Sequence, residues 1–276
     1  MKGEVAIICS TADPASLNIF QRLLELTSWG DHGEYRSSGH RRLIVHDERQ
    51  ISLHGLDARL KSMGLHPEMV VFACRHQSEK GLPWMGGHFT GEVKEGQDSP
   101  RELSAAAPFG LRSFLHNISN LAPEGFSISA EATHHGPTDM STPSFFAEIG
   151  SSQSQWTDPS AGVAVARAIL AIEADARELP VFLGFGGGHY VQRQTSLMFE
   201  ADVAFGHLFS SYQIGSLDRE IVEEARLKSG AGYAFIDRKS LRSEEKKKVG
   251  AILEDLGVPL LRSKEMRARF PIAMND

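Results

Sequence analysis

Short apolar runs rich in Val, Ile and Phe alternate along the chain with segments whose apolar residues recur at helical spacing. Pro14 and Pro159 suit the first turn of a helix, and Asp158 can cap the second of these helices. Pro108 marks either the start of a helix or an interruption. The glycine-rich stretch up to about His88 is predicted to be a loop. The runs predict strands at 5–9, 42–47, 69–75, 125–131, 144–150, 180–185, 203–210 and 233–237. The segments whose apolar residues recur at helical spacing predict helices at 14–26, 55–63, 104–122, 157–176, 217–230 and 240–256.

Strands that alternate with helices predict an α/β fold, in which a mixed, mostly parallel sheet is covered by helices on both faces. With 276 residues, the chain is long enough for one large domain or two modest ones. Because no repeat or clear linker interrupts the pattern, we predict a single domain over residues 1–276. The alternative of a C-terminal basic subdomain at 217–276 stays open.

The composition, with 41% hydrophobic and 23% charged residues, is typical of a soluble globular protein. No apolar run approaches the roughly 20 residues needed to span a bilayer. The short apolar run near the N-terminus is predicted to be a core strand rather than a secretion signal. Cys9 and Cys74 both fall in predicted strands, where small buried side chains are expected. Two cysteines do not form a disulfide framework, so we expect a reducing cytoplasmic location and no membrane partner.

The charge is distributed unevenly along the chain. A net charge of −6 argues against a general nucleic-acid-binding protein. Residues 238–270, which we name the basic segment, nevertheless carry ten Lys or Arg against five acidic residues, so that they sum to +5 and the remaining residues to −11. The basic segment could dock a polyanion, or it could be the solvated face of the amphipathic helix predicted at 240–256.

Polar side chains follow four of the predicted strands. Functional groups of α/β proteins gather in loops beyond the carboxyl ends of strands. If these four ends lie on one side of the sheet, their polar groups meet in one pocket. The groups are Arg75, His76, Glu79 and His88 after the third strand, Glu131, His134 and His135 after the fourth, Glu148 at the fifth, and His189, Tyr190 and Arg193 after the sixth.

The adjacent His134 and His135 stand between a predicted buried strand and a Gly136-Pro137 turn. On a straight strand the two side chains would point to opposite faces, but on a tight turn they could converge. Imidazole and carboxylate together suit zinc, which at catalytic sites lowers the pKa of a bound water molecule to roughly 7. Both histidines could bind a metal, or one could bind it while the other transfers a proton. The alternative is a polar loop with two solvated imidazoles.

Gly186, Gly187 and Gly188 follow another predicted strand and can present backbone N–H groups to an oxyanion or a phosphate. The run lacks the Lys and Ser/Thr of a P-loop and the spacing of a dinucleotide-binding motif. No HExxH, GxSxG or paired CxxC motif occurs, so the metalloproteases, serine hydrolases and zinc ribbons that those motifs define are not supported. Isolated histidines are more often structural or solvated than catalytic. We therefore assign no role to His32, His40, His46, His54, His66 or His116.

Four blocks of the sequence resemble the signature blocks of the archaeal and plant-type D-aminoacyl-tRNA deacylases, a family distinct from the bacterial-type deacylases of the same activity. The resemblance covers nearly the whole chain, and the His-His-Gly-Pro and Gly-Gly-Gly-His motifs are specific when they occur together. The blocks are "RHQSEKGLPWMGGHFTGE" at 75–92, "EATHHGPTD" at 131–139, "AEIGSS" at 147–152 and "GFGGGHY" at 184–190.

The resemblance implies an enzyme that hydrolyses the ester joining a D-amino acid to the 3′-terminal ribose of tRNA, and so acts in D-amino acid metabolism and translation quality control. It also implies bound zinc and a fold similar to that of peptidyl-tRNA hydrolase. The basic segment would then hold the phosphates of the acceptor arm, which adds affinity without sequence readout. We expect a monomer.

Site roles follow as hypotheses from the resemblance and from the chemistry of the residues. Ester hydrolysis needs an activated water, stabilisation of the oxyanion and a proton for the leaving ribose oxygen. We assign catalysis to His134 and His135, with Glu131 as orienting partner or base. Metal binding is assigned to His76, His88, Glu148 and His189, and substrate binding to Gly186, Gly187, Gly188, Arg75 and Tyr190.

Three other functions compete with deacylation. The first is hydrolysis of peptidyl-tRNA or another RNA-linked ester or amide on the same scaffold. The second is a small-molecule metallohydrolase, whose activity would be indifferent to the basic segment. The third is a non-catalytic tRNA-binding module, which would bind tRNA without releasing an amino acid and without zinc.

Overall fold

A computed structural model describes residues 3–93, 101–172 and 179–273. Within them the fold is α/β with mixed, mostly parallel sheet, as predicted. The strands, numbered in chain order, are Val5–Ser10 (β1), Gly30–Asp31 (β2), Arg36–Ser38 (β3), Arg41–His46 (β4), Met69–Arg75 (β5), Trp84–His88 (β6), Gly91–Val93 (β7), Arg101–Leu103 (β8), Ser127–Ala130 (β9), Ser144–Gly150 (β10), Val181–Phe185 (β11), Ala204–Phe209 (β12) and Tyr233–Ile236 (β13).

Helices separate most of these strands. The residues that the structure describes also form two 3-10 helices, at Gln50–Ser52 and Ser211–Ser216. The α-helices are Pro14–Leu26 (α1), Leu56–Ser62 (α2), Pro108–Ser119 (α3), Gln153–Trp156 (α4), Pro159–Leu170 (α5), Gln192–Glu200 (α6), Arg219–Ser229 (α7), Ser243–Asp255 (α8) and Ser263–Arg269 (α9).

The strands form one large sheet, one small sheet and a hairpin. The large sheet has the order β2-β3-β4-β1-β5-β10-β6-β9, and the small sheet has the order β12-β11-β13. Neighbours from β4 to β10 are parallel, β6 runs antiparallel to β10, and β9 is parallel to β6. The small sheet is parallel throughout, and β7 pairs with β8 in an antiparallel hairpin.

Helices cover both faces of the large sheet. On one face, Ile19 of α1, Phe114 of α3 and Val165 of α5 are buried in the same core as the strand residues Ile7 and Phe145. On the other face, Leu56 and Leu60 of α2 share a core with Phe72 and Phe146. Burial of each such side chain stabilises the fold by about 1.5–3 kcal/mol, so these cores fix the strands that carry the polar groups.

Local capping sets the helix starts that the sequence predicted. Asp13 and Asp158 each accept a hydrogen bond from a backbone N–H in the first turn of α1 and α5. Pro108 begins α3 rather than interrupting it. Helix α5 ends at Leu170, short of the predicted residue 176, and residues 173–176 lie outside the described part of the chain.

The glycine-rich stretch before His88 was wrongly predicted to be entirely loop, because its end forms strand β6. A Cβ on Gly86 would lie 1.9 Å from the carbonyl oxygen of Ser129, so glycine is required for the close pairing of β6 with β9. These glycines allow the backbones of neighbouring strands to come close together. The alternation of hydrophobic and polar residues in the sequence does not reveal this role.

The four strand ends do not lie on one side of one sheet, which was the condition given for their polar groups to meet. Strands β6 and β9 run opposite to β5 and β10, and β11 belongs to the small sheet. The polar groups therefore cannot meet simply by following parallel strands to a common edge.

Both cysteines are buried and free, as predicted, and burial raises the pKa of the Cys9 and Cys74 thiols. Among residues 3–93, 101–172 and 179–273, no helix combines the length and apolar character needed to cross a bilayer.

Candidate metal and catalytic site

Most of the predicted site residues meet at the junction of the two sheets. Glu148 pairs with Gly86 and Phe146 with His88 across β10 and β6, and directly opposed antiparallel residues share a face of the sheet. Glu148 and His88 therefore lie on the same face. The segment after β9 joins this face to the small sheet, since Ala132 N–H donates to the carbonyl of His189 at 2.9 Å and Thr133 N–H donates to that of Leu208 at 2.7 Å.

Three histidines form one half of the site, which we name the imidazole set: His88, His134 and His135. The ring centroid of His88 lies 4.0 Å from that of His134 and 4.6 Å from that of His135, and the adjacent pair is separated by 4.5 Å. The turn thus lets the two adjacent histidines converge, which was the alternative left open for this sequence.

Backbone carbonyls fix the tautomer of all three rings. His88 Nδ1 donates to the carbonyl of Phe89 at 2.9 Å, His134 Nδ1 to that of Ala132 at 2.8 Å, and His135 Nδ1 to that of Gly136 at 2.7 Å. Each Nδ1 therefore carries a proton, and each Nε2 keeps an unprotonated lone pair. Metal-binding histidines are commonly oriented by this kind of hydrogen bond.

The surroundings keep these rings neutral. Burial lowers the pKa of His88 to about 4 and that of His135 to about 3. Burial, and then the neighbouring His88, place the pKa of His134 well below its usual value. His135 also adopts a φ of 41°, in the left-handed region that non-glycine residues rarely occupy. Such backbone strain occurs often at functional sites.

The other half of the site, which we name the carboxylate set, consists of His76, Glu131, Glu148 and His189. Glu131 Oε1 lies 2.9 Å from His189 Nε2 and 3.2 Å from His76 Nδ1. Glu148 Oε2 lies 3.8 Å from His76 Nδ1, and Glu148 Oε1 lies 3.7 Å from His88 Nε2. Glu148 thus connects the two sets.

The two carboxyl groups are driven to opposite protonation states. Burial acts to raise the pKa of Glu131, but the contacts with His189 and His76 outweigh it and hold this pKa well below its usual value. Burial, and then the negative charge of Glu131, raise the pKa of Glu148 well above its usual value. Two carboxyl groups at close quarters favour sharing one proton, and the opposite pKa directions favour Glu148 as its holder.

The histidines of the carboxylate set behave oppositely to those of the imidazole set. The Glu131 carboxylate raises the pKa of His189. Burial acts to lower the pKa of His76, but Glu131 outweighs burial and the pKa is raised. A raised pKa favours the protonated form of each ring, which can donate a proton but offers no nitrogen lone pair to a metal.

The residues fit a metal ion. In the described part of the chain, His88 Nε2, Glu148 Oε2 and both Glu131 oxygens are buried without a hydrogen-bond partner of acceptable geometry. Such unsatisfied buried atoms are costly in a folded protein. Three groups have ligand atoms within 4.8 Å of one another, and they are His88, His134 and His135; His76, Glu131 and His189; and His88, Glu131 and Glu148. The first of these offers three neutral nitrogens, a donor set that zinc takes at catalytic sites.

Only part of the triple-glycine turn is available as an N–H cradle. Gly186 N–H donates to the carbonyl of Phe209 at 2.7 Å, and Gly187 N–H donates to Ser240 Oγ at 2.6 Å. Gly188 N–H has no acceptor within the described residues. The prediction that all three glycines present N–H groups is therefore wrong for the first two, because neighbouring segments already use them.

Of the other predicted substrate contacts, Tyr190 joins the site and Arg75 does not. Tyr190 Oη lies 2.8 Å from His76 Nε2. The Arg75 side chain turns away, with Nε 3.8 Å from Asp13 and the guanidinium 4.9 Å above the Trp156 ring. Asp13 lies far from Arg75 in sequence, so this pairing could not be predicted from local sequence.

Two site residues were not predicted. Trp84 packs against His76 with ring centroids 4.5 Å apart, and Tyr212 Oη lies 3.1 Å from His189 Nδ1. Trp84 falls inside the first of the four signature blocks, at 75–92, which could have drawn attention to it. Tyr212 lies outside all four blocks, in a 3-10 helix that follows β12.

A cavity of about 360 Å³ opens beside the imidazole set. It is lined by Gly91, Glu92, Val93, His134, His135, Tyr212, Gln213 and Ser216. A buried cluster of imidazoles and carboxylates next to such a cavity is the arrangement of an enzyme active site.

Comparison with known proteins identifies the family. A D-aminoacyl-tRNA deacylase family model matches residues 63–261. A D-aminoacyl-tRNA deacylase of Methanothrix thermoacetophila is 47% identical over 269 residues, which cover 96% of this chain and 99% of the relative. Another from Methanosarcina mazei is 40% identical over 285 residues, with coverage of 97% and 95%. A crystal structure of a conserved protein of unknown function superposes with a TM-score of 0.89 at 33% identity, covering 98% of this chain and 99% of that one.

The matched family model and the relatives define a hydrolase that acts on aminoacyl-tRNA. The chain belongs to the D-aminoacyl-tRNA deacylase family, as its sequence blocks indicated.

Proposed function

We propose that this protein hydrolyses the ester between a D-amino acid and the 3′-terminal ribose of tRNA, with zinc held by the imidazole set. The observation that carries the proposal is the tautomer arrangement of His88, His134 and His135. All three Nδ1 atoms are occupied by backbone carbonyls, so all three Nε2 lone pairs remain for one ion. Bound there, zinc supplies a water molecule of lowered pKa as the nucleophile.

In this proposal His134 and His135, which were predicted to be catalytic, bind the metal. His189 and His76, which were predicted to bind the metal, take part in catalysis. His189 is the partly exposed member of the carboxylate set, with 35% of its side chain accessible. Its raised pKa suits it to hold a proton and to donate that proton to the leaving ribose oxygen. Glu131, with its low pKa, is a poor base, so it acts as the orienting partner of His189 and His76.

The basic segment supports tRNA as the substrate. Ser240, near its start, accepts the hydrogen bond from Gly187 N–H, so the segment lies against the turn that carries His189. Lys248 of α8 donates to the carbonyl of Gly215 at 2.6 Å, one residue before Ser216 at the cavity. The exposed cations of a segment that lies against the site can contact acceptor-arm phosphates without reading the base sequence. The two free, buried cysteines agree with action in a reducing cytoplasm.

The test combines metal analysis with deacylation of matched substrates. Purified protein is expected to contain zinc and to release the amino acid from D-Tyr-tRNA much faster than from L-Tyr-tRNA. Removal of zinc by a chelator should abolish release, and added zinc should restore it.

Each competing function predicts a different result. Equal hydrolysis of the D and L substrates would contradict chirality selection. Faster hydrolysis of N-acetylated aminoacyl-tRNA would favour a peptidyl-tRNA type of activity. Binding of tRNA with no release and no zinc would leave a non-catalytic binding module.

A further inference from the structure

Tyr212 is an aromatic side chain that is exposed to solvent. Among the described residues, the large apolar side chains that are exposed are Leu24, Leu82, Tyr212, Leu227, Leu260 and Ile272, and Tyr212 is the aromatic one, with 60% of its surface accessible. Tyr212 also lines the cavity beside the imidazole set, so its ring is accessible to a bound ligand.

The backbone around Tyr212 is held rigidly. Ser210 donates from its N–H and its Oγ to Gln213 Oε1, at 2.8 and 2.7 Å. Gln213 Nε2 in turn donates to the carbonyl of Thr133 at 2.9 Å, one residue before His134. The 3-10 helix that carries Tyr212 is thereby fixed to the segment that carries the imidazole set, so the tyrosine ring has a defined place beside it.

The ring is within reach of the reacting centre. Tyr212 lines the same cavity as His134 and His135, and its Oη lies 3.1 Å from His189 Nδ1. The His189 ring centroid lies 4.7 Å from that of His134. A group bonded to the leaving oxygen would therefore lie beside Tyr212.

Two lysines of α8 lie near the 3-10 helix that carries Tyr212. Lys248 caps the carbonyl of Gly215, and the exposed Lys247 is its neighbour on α8. Helix α8 thus places positive charge beside the 3-10 helix that carries Tyr212, where it would attract the phosphates next to a 3′-terminal nucleoside.

We propose that Tyr212 is the stacking platform for the terminal adenine of the tRNA acceptor end, a role that rests on the function proposed above. The base is separated from the scissile ester only by its ribose, which matches the placement of Tyr212 beside His189. Every aminoacyl-tRNA carries the same terminal adenosine, whatever its amino acid, so a fixed aromatic platform serves all substrates. Aromatic rings bind bases by stacking on their faces, and single-stranded RNA ends are commonly recognised in this way.

The test measures the affinity of uncharged tRNA with and without its terminal adenosine, for the wild type and for Tyr212→Ala, Tyr212→Phe and Leu227→Ala. The wild type should bind the complete tRNA about tenfold more tightly than the truncated tRNA, as expected for one stacked base. Tyr212→Ala should bind both as weakly as the wild type binds the truncated tRNA. Tyr212→Phe should keep the preference, because its ring face is retained. Leu227→Ala removes a similarly exposed apolar side chain at the end of α7 and should also keep it.

Two outcomes would overturn the proposal. In one, Tyr212→Ala still prefers the complete tRNA by as much as the wild type does. In the other, Tyr212→Phe loses the preference together with Tyr212→Ala, which would show that the hydroxyl contact with His189 matters rather than stacking. Binding of uncharged tRNA requires no hydrolysis, so absence of deacylase activity in the wild type would overturn the proposed function without deciding this measurement.

Discussion

The imidazole set and the carboxylate set lie side by side, yet the same residue type behaves oppositely in each. In the imidazole set, burial lowers the pKa of His88 to about 4 and of His135 to about 3. In the carboxylate set, the Glu131 carboxylate raises the pKa of His189 and of His76 despite burial. The difference comes from burial and neighbouring imidazoles, which lower the pKa in the first set, and from the ionised Glu131 carboxylate, which raises it in the second.

This contrast divides the chemistry of the site into two tasks. Neutral imidazoles with free Nε2 atoms bind metal, whereas imidazoles that favour the proton can supply it. Environment rather than residue identity decides the task. This division of tasks can be tested by changing one member of each set and measuring zinc content and turnover separately.

The largest effect is expected from the imidazole set. His134→Ala removes one of three proposed ligands, so zinc content should fall and deacylation of D-Tyr-tRNA should decrease by about 10³-fold or more. The half-buried position of His134 should leave the fold intact, as thermal unfolding would check. His66→Ala, at an exposed histidine before β5, is the matched control and should behave as the wild type does. Full zinc content with normal turnover in His134→Ala would remove the imidazole set from the mechanism.

A smaller effect is expected from the carboxylate set. Glu131→Gln keeps the shape of the side chain but removes its charge, so zinc should be retained while kcat falls about 10²-fold. Loss of the carboxylate lowers the pKa of His189. Because His189 acts in its protonated form, it then loses its proton, and its activity, at a lower pH. The alkaline limb of the pH–rate profile should therefore move to lower pH.

Glu124→Gln, in the exposed loop before β9, provides the control for this change of charge. If Glu131→Gln lost zinc as completely as His134→Ala, the two sets would form one metal centre and the division of tasks would be wrong.

Most of the elements, and most of the residues that the structure brings together, could be predicted from sequence, but the division of tasks could not. Apolar runs and the Pro14 and Pro159 helix starts depend on local sequence, and they located most strands and helices correctly. The direction of β9 depends on pairing with β6, which alternation does not encode. The tautomers of His134 and His135 depend on carbonyls presented by a turn with a φ of 41° at His135. For this reason both histidines were assigned to catalysis, whereas their geometry favours metal binding.

The turn that delivers His189 to the carboxylate set offers a third test, through stability. Gly186 has a φ of 90°, and a Cβ there would lie 2.6 Å from Ser240 Oγ and 3.1 Å from the carbonyl oxygen of Asp237. Gly186→Ala should therefore lower the free energy of unfolding by about 1–3 kcal/mol and reduce turnover by about tenfold through displacement of His189. A Cβ on Gly188 would meet nothing within 4 Å, so Gly188→Ala should change stability by less than about 0.5 kcal/mol. Equal destabilisation by the two variants, measured by denaturant unfolding, would contradict this account of the turn.

The smallest effect is expected outside both sets, in the basic segment. Lys239 and Lys247 are exposed, and neither forms an ion pair with another described residue. Lys239→Ala and Lys247→Ala should each raise KM for D-Tyr-tRNA about two- to threefold and leave kcat unchanged, because phosphate contacts contribute to binding and not to the chemical step. Each should also reduce the slope of log affinity against log salt by roughly 0.7–0.9. Lys61→Ala, on α2, should change neither quantity. A fall in kcat for Lys247→Ala would mean that the basic segment positions the reacting end, and that the separation between binding surface and chemical site is less complete than the two sets suggest.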